Sequence, residues 1–240
     1  MRPSQVIGAW GYRDERQSWT WPGAPNATSL TVRAYGASGC VRLRLNGRPV
    51  DTNGGSSSCV PVAPSTDFVA TLEVAYEPGE LEASLHASAT DLAPLAIASL
   101  KTAGPAAALR LTADRTSLLA SRDDLSYVRA ELIDAAGERV DCGSFISAYQ
   151  PPSPPFKPVA WCSPVDVAFE VAGDAELAAV GSGDPLDVSS FLAGHRYTYR
   201  GLATAIVRPG KTGASPAKGT VRVTASAAGL KGAVIELTVG

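Results

Sequence analysis

The residues of this chain that could do chemistry are a few close-set acids, two histidines, four cysteines and a group of tryptophans. Paired carboxylates can carry out general acid and base work when their surroundings push their pKa values apart. The close acidic sets are Asp14-Glu15, Asp123-Asp124, and Asp184 with Asp187. Asp14-Glu15 lies in a leading segment and Asp123-Asp124 where a strand-connecting turn is due, so both read as solvated or turn-capping groups. Gly181-Ser182-Gly183-Asp184-Pro185 is the stronger candidate, because its glycines permit a tight loop; Asp184 would equally serve to organise the turn ahead of Pro185. A serine nucleophile needs a base and an orienting acid close by. His86 falls in a predicted strand and His195 in a predicted loop, Gly194-His195-Arg196, without a serine elbow, so neither reads as a general base. Gly54-Gly55-Ser56-Ser57-Ser58 lacks the lysine and the following helix of a phosphate-binding loop.

The cysteines form two local pairs, Cys40 with Cys59 and Cys142 with Cys162, each bracketing a Gly, Ser or Pro-rich insertion. No CxxC knuckle or neighbouring histidine accompanies them, so no metal site is expected, and nothing calls for a cofactor. Disulfides Cys40–Cys59 and Cys142–Cys162 are predicted, each closing a loop worth about 3 kcal/mol in the chain-entropy description. The alternative is four unpaired, partly buried thiols. Asn26-Ala27-Thr28 is a glycosylation sequon. Disulfides and sequon together point to an extracellular or secretory-pathway protein, although no signal peptide is visible.

Trp10, Trp19 and Trp21 crowd the leading segment, residues 1–23. Indole faces stack on the apolar face of a sugar ring, so the three could form a carbohydrate platform. The competing reading is that they plug the domain onto its own core or onto a neighbour.

The wider composition excludes several classes. With 21 basic and 23 acidic residues mixed along the chain, no basic field exists to hold a nucleic acid backbone. Apolar runs such as Pro94 to Leu100 fall far short of the roughly 20 residues that a membrane helix requires.

The elements that must position these side chains are strands. Thr28 to Tyr35, Cys40 to Leu45, Phe68 to Tyr76, Leu81 to Ala87 and Pro94 to Lys101 alternate or are flanked by turn residues, and Asn46-Gly47 is a strong hairpin signal. Residues 24–103 therefore read as one small β-sandwich. Thr102 to Pro105 is the linker, and residues 106–240 make a second, immunoglobulin-like sandwich. Its strands are Ala108 to Ala113, Tyr127 to Asp134, Val165 to Val171, a short Leu177 to Val180, Tyr199 to Arg208, Thr220 to Ala225 and Ala233 to Val239. It is interrupted by a Pro-rich insertion at 142–162, a stiff surface arm. The fold class is all-β: two tandem immunoglobulin/fibronectin-like β-sandwiches.

Several phrases carry a family resemblance. Leu45-Asn46-Gly47-Arg48, Tyr76-Glu77-Pro78-Gly79-Glu80-Leu81 and Lys101-Thr102-Ala103-Gly104 resemble the β-sandwich that follows the catalytic barrel in glycoside hydrolase family 2 enzymes of the bacterial β-galactosidase type. Leu109 to Arg115, Asp124 to Val128, Gly181 to Pro185 and Gly201 to Val207 are similar to the last, immunoglobulin-like domain of the same enzymes. The likeness covers roughly residues 19 to 240 in order; both cysteine-bracketed insertions depart from the family pattern. In that family the acid/base is a Glu in an Asn-Glu pair on a barrel strand, with a second Glu as nucleophile about 5 to 5.5 Å away. Asn26, Asn46 and Asn53 are followed here by Ala27, Gly47 and Gly54, so the pair is absent. The resemblance thus implies a non-catalytic C-terminal accessory region of a hydrolase of terminal β-glycosidic bonds. Its partner would be a catalytic barrel, in cis or in trans, with Asp184 able to face that barrel. The alternative is a carbohydrate-binding or adhesion module using the tryptophans.

Overall fold

Period-two alternation dominates the chain, and the structure follows it. The computed structural model describes residues 6–7, 12–13, 15–21, 24–50, 59–142, 163–184, 187–211, 213 and 215–240. These residues form strands joined by turns, with a single-turn 3-10 helix at Pro64–Thr66. They divide into two units, one up to Thr102 and one from Ala103 onward.

The first unit contains β1 (Val6–Ile7), β2 (Tyr12–Arg13), β3 (Ser29–Tyr35), β4 (Gly39–Leu45), β5 (Arg48–Pro49), β6 (Val60–Val62), β7 (Val69–Ala75), β8 (Glu80–His86) and β9 (Ala96–Lys101). β3 pairs antiparallel with β7, while β5, β4, β8 and β9 form a second sheet in that order, with β6 also on β4. Alternation turns Ala70, Leu72 and Val74 of β7 and Val41, Leu43 and Leu45 of β4 inward, leaving Thr71, Glu73 and Arg44 outside. The edge strand β9 is different. Its residues are exposed apart from the half-buried Leu100, and a groove of about 560 Å³ opens beside it over Leu43, Leu81 and Ala98, rimmed by Glu15 and Arg16.

The described tryptophans of the leading segment are part of this sandwich. Trp19 is 2% and Trp21 8% exposed, and both belong to the apolar interior of the first unit. Large indoles bury more apolar area than any other side chain, so a chain with a small core takes them in.

The second unit contains β10 (Ala108–Ala113), β11 (Ser117–Leu118), β12 (Ser126–Ile133), β13 (Asp166–Ala172), β14 (Ala175–Gly181), β15 (His195–Tyr197), β16 (Leu202–Pro209), β17 (Gly219–Ser226) and β18 (Ala233–Val239). One sheet runs β10-β12-β16-β14 and the other β11-β18-β17-β13-β15. All their pairings are antiparallel except β11 with β18. Val128, Ala130 and Leu132 of β12 and Ala203, Ala205 and Val207 of β16 form one wall of the core. Val167, Phe169, Val221, Val223 and Leu237 form the other. Each such buried Val or Leu contributes about 1.5 to 3 kcal/mol of transfer free energy.

Two expectations need correcting. The short strand at Leu177 to Val180 is a seven-residue β14; a bulge between Leu177 and Ala179 breaks the alternation that would have revealed its length. His195 lies in β15 rather than a loop, on a three-residue strand too short to show a period.

Candidate functional site

The phrases that carried the resemblance meet in space. In the first unit Asn46 and Gly47 take left-handed conformations, φ 52° and 75°, as a tight hairpin turn demands. The Asn46 side chain then reaches the next hairpin. Its Nδ2 donates to Glu77 Oε1 and to the Pro78 carbonyl, both at 3.1 Å, and its Oδ1 accepts from the Glu80 amide at 2.9 Å. Arg48 adds an ion pair to Glu77 at 2.7 Å. Gly79, at φ 138°, has no room for a side chain: a Cβ there would stand 1.8 Å from Asn46 Oδ1. Thr102 closes the cluster. Its hydroxyl donates to the Trp19 carbonyl at 2.9 Å and accepts from the Gly79 amide at 3.0 Å, while Trp19 Nε1 donates to the Glu77 carbonyl at 3.0 Å. The Leu-Asn-Gly-Arg, Glu-Pro-Gly-Glu and Lys-Thr phrases are three sides of one polar knot.

The second unit is tied in the same manner. Asp114 Oδ1 accepts from the amides of Arg115 and Tyr127, at 2.9 and 2.8 Å. Asp124 accepts from the Leu119 amide at 2.7 Å and from Arg115 Nη1 at 3.0 Å, and the Leu119 amide leads the causes that hold its carboxyl below the usual carboxylate value. Asp134 is 8% exposed. Burial pushes its pKa up, but the amides of Gly104, Glu138, Ala136 and Gly137 outweigh this and the net shift is downward. Gly201, at φ 76°, is packed so closely that a Cβ would lie 2.0 Å from the Val140 carbonyl oxygen.

The Gly181 to Pro185 candidate leads into a third knot, centred on a residue that the sequence did not single out. Arg196 on β15 is 2% exposed. Its Nη1 pairs with Asp187 Oδ2 at 2.6 Å and donates to Ser189 Oγ at 2.5 Å; its Nη2 donates to the carbonyls of Ser190 at 3.1 Å and Val180 at 3.2 Å. The Ser189 hydroxyl and amide, then Arg196, lower the Asp187 pKa from 3.8 to about 2. The Asp187 amide donates to the Asp184 carbonyl at 3.3 Å, and Asp184 itself is half-buried in the turn. Asp184 and Asp187 therefore sit in one braced loop, where Asp187 is an acceptor for the protein's own donors.

The remaining candidates are placed as follows. Trp19 and Trp21 are buried, Trp19 lying 5.3 Å from the Tyr76 ring, so neither offers an open indole face to a sugar; Trp10 lies outside the described residues. Asp14 is outside them too, while Glu15 accepts from Arg33 Nη1 and the Tyr35 hydroxyl, both at 2.6 Å. His86 Nε2 is 3.0 Å from Ser84 Oγ, but the ring is 4% exposed and its Nδ1 has no orienting acid, so the pair lacks both access and the third member of a triad. His195 Nδ1 is 2.8 Å from Asp166 Oδ1 on the exposed side of β13 and β15. Cys40 and Cys59 are bridged. Cys142 is buried and disulfide-bonded; Cys162, its predicted partner, and the Pro-rich arm fall outside the described residues. Asn26 is exposed in a turn. Among the described residues no three His, Cys, Asp or Glu side chains converge as metal ligands, and no helix is long and apolar enough to cross a membrane.

Among the described residues, side-chain knots tie the turns of two β-sandwich units. Comparison with known proteins gives a family likeness: residues 163–236 match the family model described as glycoside hydrolase family 2 C-terminal domain 5. A β-galactosidase of Bacteroides ovatus is 27% identical over 168 residues, 69% of this chain and 16% of that protein. A glycosyl hydrolase family 2 member from Bacteroides cellulosilyticus superposes with a TM-score of 0.72 at 29% identity, over 96% of this chain and 25% of the enzyme. A β-glycosidase from Bacteroides vulgatus shares the fold, with a TM-score of 0.69 at 17% identity. Residues 163–236 thus resemble a family 2 C-terminal domain, a 168-residue stretch is similar to part of a β-galactosidase, and the chain spans a quarter or less of the length of these three enzymes.

Proposed function

We propose that the chain is the non-catalytic C-terminal accessory region of a β-galactosidase-like family 2 glycoside hydrolase, packing against and orienting a catalytic barrel. The observation that carries this reading is the coverage: 96% of the chain superposes on 25% of a family 2 enzyme. The electrostatics support it. A glycosidase acid needs a raised pKa. Among the described residues, the carboxyls with a resolved shift, Asp124, Asp134 and Asp187, are all lowered, each by hydrogen bonds that fasten a turn. The test is to incubate the purified 240-residue chain with an aryl β-galactoside. Release of the aryl alcohol at the buffer rate is the expected result. Turnover that survives repurification would overturn the reading.

A further inference from the structure

β9 is an edge strand without the usual means of keeping an edge unpaired. Among the described residues it pairs only with β8. An edge offers a row of free N–H and C=O groups to any other strand, and proteins ordinarily blunt it with charge or proline. Between Ala96 and Leu100 this strand has neither, and Ala96 to Ser99 are exposed. Apolar surface adjoins it: Ile97 is 59% exposed and Leu95, one residue ahead of the strand, 65%. The register says which backbone groups are free. The Thr102 amide donates to the Gly79 carbonyl at 2.8 Å, and antiparallel pairs alternate between hydrogen-bonded and non-bonded. Leu100 opposite Leu81 and Ala98 opposite Ala83 are therefore bonded pairs, with their groups directed to β8. The backbone groups of Ile97, Ser99 and Lys101 point away from it. These three are evenly spaced about Ser99, so the edge matches itself when turned about a two-fold axis there.

We infer that β9 is a homodimer interface: it pairs antiparallel with β9 of a second copy, and the sheet β5-β4-β8-β9 runs on across the two-fold axis. Ser99 pairs with the partner's Ser99, and Ile97 with the partner's Lys101, which brings all three outward residues of each strand into the ladder. Complementarity selects a second copy as the occupant. Leu100 then lies beside the partner's Ala98, and with Leu81 and the partner's Ala83 behind them an apolar row crosses the seam unbroken. On the opposite face the alkyl stem of Lys101 covers the partner's Ile97. Glu80 stands across from Lys101 within its own sheet, so no like charges are directly opposed. The two-fold axis closes the assembly at two chains, because each copy has its one β9 edge used up.

The experiment is sedimentation of the intact 240-residue chain over a concentration series, with amide hydrogen exchange read along β9. The expected result is a monomer–dimer equilibrium. The amides of Ile97, Ser99 and Lys101 should be protected only where the dimer predominates, whereas those of Ala98 and Leu100 are protected throughout. Ile97→Lys alters an exposed side chain and sets a like charge against the partner's Lys101 at two places in the dimer, so the dimer Kd should rise about tenfold. Ile97→Glu meets the same lysine with the opposite charge and should leave the dimer at least as tight. Adding Lys101→Glu to Ile97→Lys should restore it. A general effect of charge on solubility or folding would move both single variants alike and so overturn the pairing. A chain that stays monomeric throughout the series, a dimer indifferent to Ile97→Lys, or open-ended aggregates in place of a dimer would each overturn it too.

Discussion

Asp187 shows how a single carboxylate is committed. Its pKa falls from 3.8 to about 2 because the Ser189 hydroxyl and amide and the Arg196 guanidinium all favour its charged form. A depressed folded value contributes stability that is present above the unfolded value, near pH 4, and is lost as pH falls through about 2. Asp187→Asn keeps the shape and removes the charge. Urea unfolding should therefore find the variant less stable than the parent at pH 6, with the gap closing as pH drops from about 4 towards 2. A gap that stays constant over that range would mean that Asp187 acts through shape alone. In the sequence Asp187 was visible as one member of an acidic pair, but Arg196 was not visible as its partner. Gly-His-Arg reads as a solvated turn, and only the pairing of β15 with β13 carries the arginine beneath the loop.

At the scale of elements, much was legible where one strand announces itself. The alternation of Ser29–Tyr35, Val69–Ala75 and Ala233–Val239 gave their extents nearly to the residue, and Asn46-Gly47 gave the turn. What could not be read was that Asn46 is shared by two hairpins 34 residues apart, because that contact depends on β4 pairing with β8. The two glycines of this knot separate local from tertiary cause. A Cβ on Gly47 meets nothing within 4 Å, so Gly47→Ala loses only the left-handed backbone preference, about 1 kcal/mol. A Cβ on Gly79 collides with Asn46 Oδ1, so Gly79→Ala adds the loss of Asn46's hydrogen bonds to the backbone strain, about 2 to 4 kcal/mol in all. Denaturant midpoints of the two variants, compared with the parent, test this directly. Equal losses would show that the knot contributes nothing beyond turn geometry.

The whole molecule combines two small sandwiches with loops longer than a compact sandwich ordinarily carries, and its covalent staples answer that combination. Cys40 and Cys59 are 19 residues apart, so their bridge restricts the unfolded first unit by about 3 kcal/mol in the loop-entropy description. That matters because the large sheet ends in an edge strand, β9, exposed along nearly all its length beside an open groove. Cys142 is likewise bonded, and Cys40, Cys59 and Cys142 leave no free thiol among the described residues. We propose on this basis that the chain matures in an oxidising compartment. Protein recovered without reductant should then take up no alkylating reagent by mass, whereas the reduced, unfolded chain should take up four groups, one for each cysteine. The reduced chain should also unfold at lower urea, with Cys40→Ser alone reproducing about 3 kcal/mol of the loss. Free thiols in protein taken from its native compartment would reverse the assignment. The bridge would then form only after extraction, and the stability of the first unit in place would rest on the Asn46, Gly79 and Thr102 knot and on the covering of its open groove.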